Sequence, residues 1–251
     1  MSAIKPWMSR TNLLFGEEKL SKVVSAHVLV VGLGGVGGVA AEMICRAGVK
    51  KMTLVDADTV EASNRNRQLP ALSTTEGQLK AEVLGKRFKE INPDIELVIK
   101  PQYLYEAEID SLLDEAKYDY VVDAIDTLSS KVALILKCIE RRLPIVSSMG
   151  AGGRTDPMQV KIADISESHH CNLAKDVRKK LHRLGIYRGV TVVYSPETVD
   201  KSRLIITPDD LKKRSVIGTV SYMPAIFGCM VSSVVIRKLS ERKIKKDKKE
   251  D

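Results

Sequence analysis

Three glycines, two aspartates and a short run of arginine, asparagine and lysine carry the chemistry this sequence announces. Gly32, Gly34 and Gly37 stand as G-x-G-x-x-G in VLVVGLGGVGGVAAEMICRAGV, with Gly35 and Gly38 beside them. Residues without a Cβ let the backbone approach phosphate oxygens. The first turn of the following helix adds unpaired N–H groups and a partial positive charge. Asp56 follows about 20 residues on, where an acid grips ribose hydroxyls. On these residues alone the default reading is a nicotinamide dinucleotide, and the bland one is a tight strand-to-helix turn.

The next segment shifts the nucleotide. DADTVEASNRNRQ (Asp56–Gln68) packs Asp56, Asp58, Asn64 and Arg67 just past the second strand, and Lys80 follows on the next helix. A nicotinamide cofactor needs little cationic help beyond the loop. A triphosphate does, because charge grows on the pyrophosphate as it leaves. Arg67 and Lys80 suit that task, with Asn64 as a neutral donor and Asp58 beside them among the nucleotide-binding candidates.

Strands and helices must alternate to bring these residues together. Val28–Val31, Lys51–Asp56, Ile95–Lys100, Tyr118–Asp126 and Leu143–Ser148 read as buried strands. Between them, Gly77–Asn92 and Glu106–Ala116 read as helices, the first presenting Leu79, Val83, Leu84, Phe88 and Ile91 on one face. The expected fold is α/β, a Rossmann-like, doubly wound, mostly parallel sheet. Residues 1–150 are expected to form an ATP-binding domain with an N-terminal helical segment. Residues 151–251 are expected to form a smaller α+β extension. There MQVKIADI and GVTVVYS read as strands and CNLAKDVRKKLHRLG as a basic helix. Pro224–Leu239 reads as a final apolar helix, followed by a lysine-rich, disordered tail.

Composition narrows the class. With 44% hydrophobic and 29% charged residues the 251-residue chain is an ordinary globular protein. The N-terminus lacks the apolar core of a signal peptide. The apolar stretch around Met223–Ile236 is too short to span a bilayer, so a buried helix and a cytoplasmic protein are expected. Cys45, Cys138, Cys171 and Cys229 form no C-x-x-C pair, which suggests reduced thiols and no zinc ribbon. The net charge of +8 is localised: Lys175–Arg188 holds six basic residues against one acid, and Arg237–Asp251 eight against four. Such localisation suits a phosphate backbone as partner.

The ordered set of residues resembles the ATP-binding half of the ubiquitin-activating-like adenylating enzymes. These include the enzymes that activate sulfur-carrier proteins for molybdopterin and thiamine synthesis. The family pattern of glycine loop, strand-ending aspartate, N-x-x-R-Q, lysine and D-x-x-D is met by Gly32–Gly37, Asp56, NRNRQ with Asn64 and Arg67, Lys80, and DAID with Asp123 and Asp126. The resemblance implies ATP as the nucleotide, adenylation of a carboxylate as the reaction, and Mg2+ held by Asp126. It also implies a homodimer in which Arg10, from WMSRTNLLFG, reaches the partner subunit's phosphates.

WMSRTNLLFG, GAGGRTDP, KIADISES and VVYSPE resemble one branch in particular, the tRNA threonylcarbamoyladenosine dehydratases, over nearly the whole chain. That implies as partner a tRNA carrying threonylcarbamoyladenosine. Its carboxylate would be adenylated and then attacked by the modification's own amide-type nitrogen, closing a ring with loss of water. The nucleophile is already held close, so no catalytic cysteine is required. HHCNLA departs from the family pattern. The alternative is an adenylyltransferase for the C-terminal glycine of a ubiquitin-like sulfur carrier. Cysteine-desulfurase sulfur-relay proteins are candidate partners on which the sequence is silent. Adjacent histidines in an extended segment point to opposite faces, which argues against His169 and His170 as a metal pair. Cys229 reads as a packed small residue of an apolar helix, and YSPE (Tyr194–Glu197) reads equally well as lining of a substrate pocket or as a strand-ending turn.

Overall fold

The computed structural model describes residues 4–200, 202, 204–206 and 215–243. Two short helices, α1 (Ser9–Phe15) and α2 (Glu17–Val24), precede the first strand. The chain then alternates β1 (His27–Val31), α3 (Gly37–Arg46), β2 (Lys51–Val55), α4 (Lys80–Ile91), β3 (Glu96–Lys100), α5 (Ile109–Asp114), β4 (Tyr120–Asp123), α6 (Leu128–Glu140) and β5 (Ile145–Ser148). Next come β6 (Lys161–Asp164), α7 (Asn172–Arg183), β7 (Thr191–Tyr194), β8 (Leu204–Ile206), β9 (Ser215–Ile217) and α8 (Tyr222–Glu241). The main sheet has the order β3-β2-β1-β4-β5-β7-β6, parallel throughout except for β6, which pairs antiparallel with β7 at the edge. The reversal of strand order between β1 and β4 opens a crevice at the carboxyl ends of the strands, where such sheets take their ligands.

Both sheet faces are covered, so the central strands are apolar on both sides. Val28 and Val30 face one core with Leu20, Ile44, Phe88 and Phe227; Leu29 and Val31 face the other with Leu112, Leu134, Ile135 and Val177. This is the alternation of a strand expressed as two cores. Residues past 150 add β7 and β6 to the same sheet, and α8 lies on α3 and α2. A Cβ on Gly228 would stand 2.6 Å from the Val36 carbonyl oxygen, so only glycine allows α8 to approach α3 so closely.

Several boundaries differ from expectation. The helix expected from Gly77 begins at Lys80, because Thr59 bridges to Leu79 and the Val60 amide donates to the Gln78 carbonyl. The strand expected to reach Asp126 ends at Asp123, after which the chain turns off the sheet edge. α8 has 20 residues and is long and apolar enough, by length and composition, to cross a membrane, contrary to the shorter stretch expected. Its most apolar window is 56% buried in the fold, as in a core helix. The β8–β9 pair was not anticipated; three-residue strands leave too little alternation to read. The tail expected to be disordered lies largely outside the described residues.

One core group titrates in a useful range. His27 is buried, with Nε2 2.9 Å from the Thr53 hydroxyl and its ring against Tyr118. Burial, reinforced by Lys51, lowers its pKa to about 4. The unfolded chain therefore takes up a proton near the ordinary histidine pKa of about 6.5 while the native chain does not. Stability is predicted to be full above that value and to fall as the pH drops toward 4, by on the order of 3 kcal/mol. Melting temperatures measured across pH 7 to 4 check this, and His27→Gln should flatten the slope.

Candidate active site

The glycine loop is shaped by what a side chain would strike. Gly32 has φ +88°, and a Cβ there would lie 2.6 Å from the Ala124 carbonyl oxygen. A Cβ on Gly37, the first residue of α3, would lie 1.8 Å from the Gly32 carbonyl oxygen. Around Gly34 only the Gln68 amide comes within 4 Å, at 3.8 Å, so this glycine faces open space. Gly35 is pressed between Pro224 and the Arg67 carbonyl, so α8 buttresses the loop. Gly37→Ala is expected to break the loop, since the clashing Gly32 carbonyl is backbone, and to abolish nucleotide binding. Isothermal titration with ATP checks this; binding at the unaltered affinity would contradict it.

Asp56 ties the loop to the second strand. Its carboxylate accepts the Leu33 amide at 2.5 Å and the Asp58 amide at 2.8 Å. Burial pushes its pKa up, against the pull of these amides and Lys80. Lys80, at the start of α4, is buried and donates to Asp58 Oδ2 at 2.8 Å. Arg67 donates to the Ser63 carbonyl at 2.9 Å and to Asn66 Oδ1 at 2.8 Å, so the NRNRQ turn holds its own guanidinium. Asn64 is buried beneath that turn: its Oδ1 accepts the Glu61 amide and its amide donates to Ser63.

The D-x-x-D pair divides its labour. Asp123 is wholly buried in an ion pair with Lys131, 2.7 Å away and equally buried. Asp123 also accepts the Ser147 hydroxyl at 2.5 Å and the Ile125 amide at 3.0 Å, and Lys131 donates to the Ser148 carbonyl at 3.0 Å. This network pins the turn that carries Asp126, which is exposed beyond it.

A cleft of about 410 Å³ gathers Gly32, Gly34, Gly35, Asp56, Asp58, Arg67, Lys80 and Asp126. Three expected residues do not line it. Gly37 lies under the loop as a steric necessity, Asn64 supports the turn from below, and Arg10 is exposed on α1. Sequence reasoning missed Tyr103 and Tyr105, which line the cleft from the segment after β3. Their signal was an aromatic pair just past a strand's carboxyl end. It also missed Lys131, a lysine on the same helical stripe as Leu134, Ile135 and Cys138.

Other candidates fall away or change. The rings of His169 and His170 lie 5.3 Å apart rather than on opposite faces, because His170 has φ +54°. His169 is nonetheless engaged with the Glu167 carbonyl and the Tyr194 hydroxyl. Among the described residues no cluster of three or more His, Cys, Asp or Glu side chains suits a resident metal ion. Cys229 is exposed on α8, not packed as expected. Burial pushes the Cys45 and Cys138 thiols up to about 12, which makes them inert. Cys171, within the departing HHCNLA segment, is buried at the start of α7. On α7 Lys175, Lys179, Lys180 and Arg183 are exposed, while Arg178 is folded back onto the Ser168 carbonyl at 2.6 Å.

The ThiF family model matches residues 8–250. The chain belongs to the ThiF family. Within it, the chain is 42% identical to the tRNA threonylcarbamoyladenosine dehydratase of Bacillus subtilis over 82% of its own length and 79% of that protein. The crystal structure of the Escherichia coli tRNA N6-threonylcarbamoyladenosine dehydratase in complex with AMP superposes with a TM-score of 0.83 at 32% identity. It covers 92% of this chain and 93% of that one. The same Escherichia coli protein in complex with ATP gives 0.82 at 32% identity, covering 92% and 93%. The molybdopterin-synthase adenylyltransferase of Escherichia coli is 36% identical, but over only 53% of this chain and 51% of that protein. The likeness to molybdopterin-synthase adenylyltransferases thus spans 53–62% of the chain, and the likeness to the dehydratases reaches 92%.

Proposed function

We propose that this protein is an ATP-dependent tRNA threonylcarbamoyladenosine dehydratase that works by adenylation. The observation that carries the reading is the near full-length likeness to dehydratases, joined to a cleft that gathers cations beside a glycine loop. The substrate carboxylate attacks the α-phosphorus of ATP and pyrophosphate leaves. The modification's own amide-type nitrogen then attacks the activated carbonyl, releasing AMP and closing the ring. A carboxylate is a poor electrophile, and AMP as leaving group removes that barrier.

Each residue has a part in this scheme. The backbone of Gly32, Gly34 and Gly35 approaches the phosphates, and Gly37 opens α3 so that its N-terminus faces them. Asp56 grips the ribose. Lys80, parked on Asp58 at 2.8 Å, turns to the triphosphate when the more highly charged group arrives. Arg67 stabilises the departing pyrophosphate, and Asn64 holds the turn that aims it. Three carboxylates line the cleft; Asp56 is engaged by the Leu33 and Asp58 amides and Asp58 by Lys80, and Mg2+ takes one or two carboxylates plus substrate phosphates. Asp126 would hold it, and the ion would neutralise charge on the leaving group. Lys80→Ala is expected to lower kcat/KM for ATP about a hundredfold, as measured by pyrophosphate release.

Assembly supports a homodimer. Leu13 and Leu14 are 90% and 79% exposed one helical turn from Arg10, and an apolar pair on that face suits burial against a second copy. Arg10 would then serve the partner's nucleotide. The exposed lysines of α7 offer a surface to the tRNA backbone in the cytoplasm. Incubation with ATP, Mg2+ and threonylcarbamoylated tRNA, followed by nucleoside mass spectrometry, tests the function. Loss of one water is expected; an unaltered nucleoside would contradict it.

A further inference from the structure

Arg154 is the most anomalous charge outside the cleft. It is 3% exposed, and its Nε is buried with no hydrogen-bond partner. Among the described residues its one hydrogen bond is a long one, 3.5 Å from Nη1 to the Glu197 carbonyl. Among the described residues it makes no ion pair. The Glu197 carboxylate feels the charge of Arg154 through space but gives its hydrogen bonds to the Thr155 amide and hydroxyl and the Asp156 amide. A buried guanidinium left this poorly satisfied is costly unless an anion completes it.

Arg154 lines an open hollow of about 520 Å³ together with Asn66, Gly153, Thr155, Thr219 and Ser221. None of these carries a negative charge. The hollow is built by close approach: a Cβ on Gly153, at φ +74°, would meet Val199 at 2.6 Å and Ile217 at 2.7 Å. It shares a wall with the nucleotide cleft. Asn66 lines the hollow while Arg67 and Gln68 line the cleft, and Asn66 donates to the Thr219 carbonyl at 3.0 Å across the gap. Ser221 lines the hollow, and three residues on, Pro224 braces Gly35.

We infer that this hollow is a substrate subsite in which Arg154 binds an oxyanion of the RNA, next to the site of adenylation. The inference rests on the dehydratase reading. The anion is a backbone phosphate beside the modified nucleotide or the threonyl carboxylate itself; both match a guanidinium fork.

The test is direct binding, so it does not depend on turnover. Dissociation constants of the full-length protein for a threonylcarbamoylated anticodon stem-loop and its unmodified counterpart are measured by fluorescence anisotropy, with ATP affinity as the control. Arg154→Gln is expected to weaken stem-loop binding about tenfold or more and to leave ATP affinity unchanged. Arg154→Lys should restore part of the loss. Weakening with both RNAs identifies a backbone phosphate; weakening with the modified RNA alone identifies the carboxylate. Should Arg154→Gln fail to fold, Ser221→Glu, which sets a carboxylate at the exposed rim, is expected to weaken RNA binding in the same way. Unchanged stem-loop affinity in a folded variant overturns the subsite. A wild-type protein that binds RNA yet removes no water refutes the dehydratase reading instead, and the two failures are read on separate measurements.

Discussion

Replacing Asp126 with alanine is expected to reduce turnover about a hundred- to a thousandfold while leaving the melting temperature where it was. The two halves of that expectation have separate causes. Asp126 is exposed past the end of β4, so its loss removes no packing, and surface changes of this kind usually stay within about 0.5 kcal/mol. Its carboxylate would, however, supply hard oxygen to a magnesium ion, which would neutralise charge on the leaving pyrophosphate. Asp123 cannot substitute, because its oxygens are committed to Lys131, Ser147 and the Ile125 amide. Single-turnover kinetics with saturating ATP, set beside a thermal melt, measures both. An Asp126→Ala protein with full activity would remove the metal from Asp126.

Lys131→Met should do the opposite, costing about 3–5 kcal/mol of stability, because it leaves the Asp123 carboxylate buried without its cation. Set against a total of about 5–15 kcal/mol for a typical domain, that is enough to threaten the fold. The effect comes from the orphaned charge rather than from the pair's own worth. The double variant Asp123→Asn, Lys131→Met should therefore be more stable than Lys131→Met alone. Urea unfolding of the three proteins checks this. Equal destabilisation in the single and double variants would show that Lys131 contributes packing only.

The parts of the site that follow from local rules were readable in advance. Gly32, Gly34, Gly35, Asp56, Arg67 and Lys80, which line the cleft, follow the ends of β1 and β2, and strand periodicity locates those two ends within about a residue. The mostly parallel, doubly wound sheet follows from the same alternation, but its strand order does not. What escaped depends on contacts between distant segments. Lys131 reads as one polar residue in an apolar helix, and its partner Asp123 belongs to a strand eight positions earlier. Gly35 looks like a phosphate-loop residue, yet its Cβ is excluded as much by Pro224, which no local pattern brings there. His169 and His170 were set on opposite faces by assuming an extended backbone, and the left-handed turn at His170 defeats that assumption. Cys229 looked packed because its helix is apolar, but it falls on the helix face turned to solvent.

The central claim is that the substrate carboxylate is joined to AMP before the ring closes. It is tested most directly by isotope. Threonylcarbamoylated tRNA bearing heavy oxygen in the threonyl carboxylate is incubated with the protein, ATP and Mg2+, and the nucleotide products are analysed by mass spectrometry. One labelled oxygen is expected in AMP for each ring formed, because the oxygen that attacks the α-phosphorus departs with it. Label in inorganic phosphate, with ADP as the other product, would contradict the account.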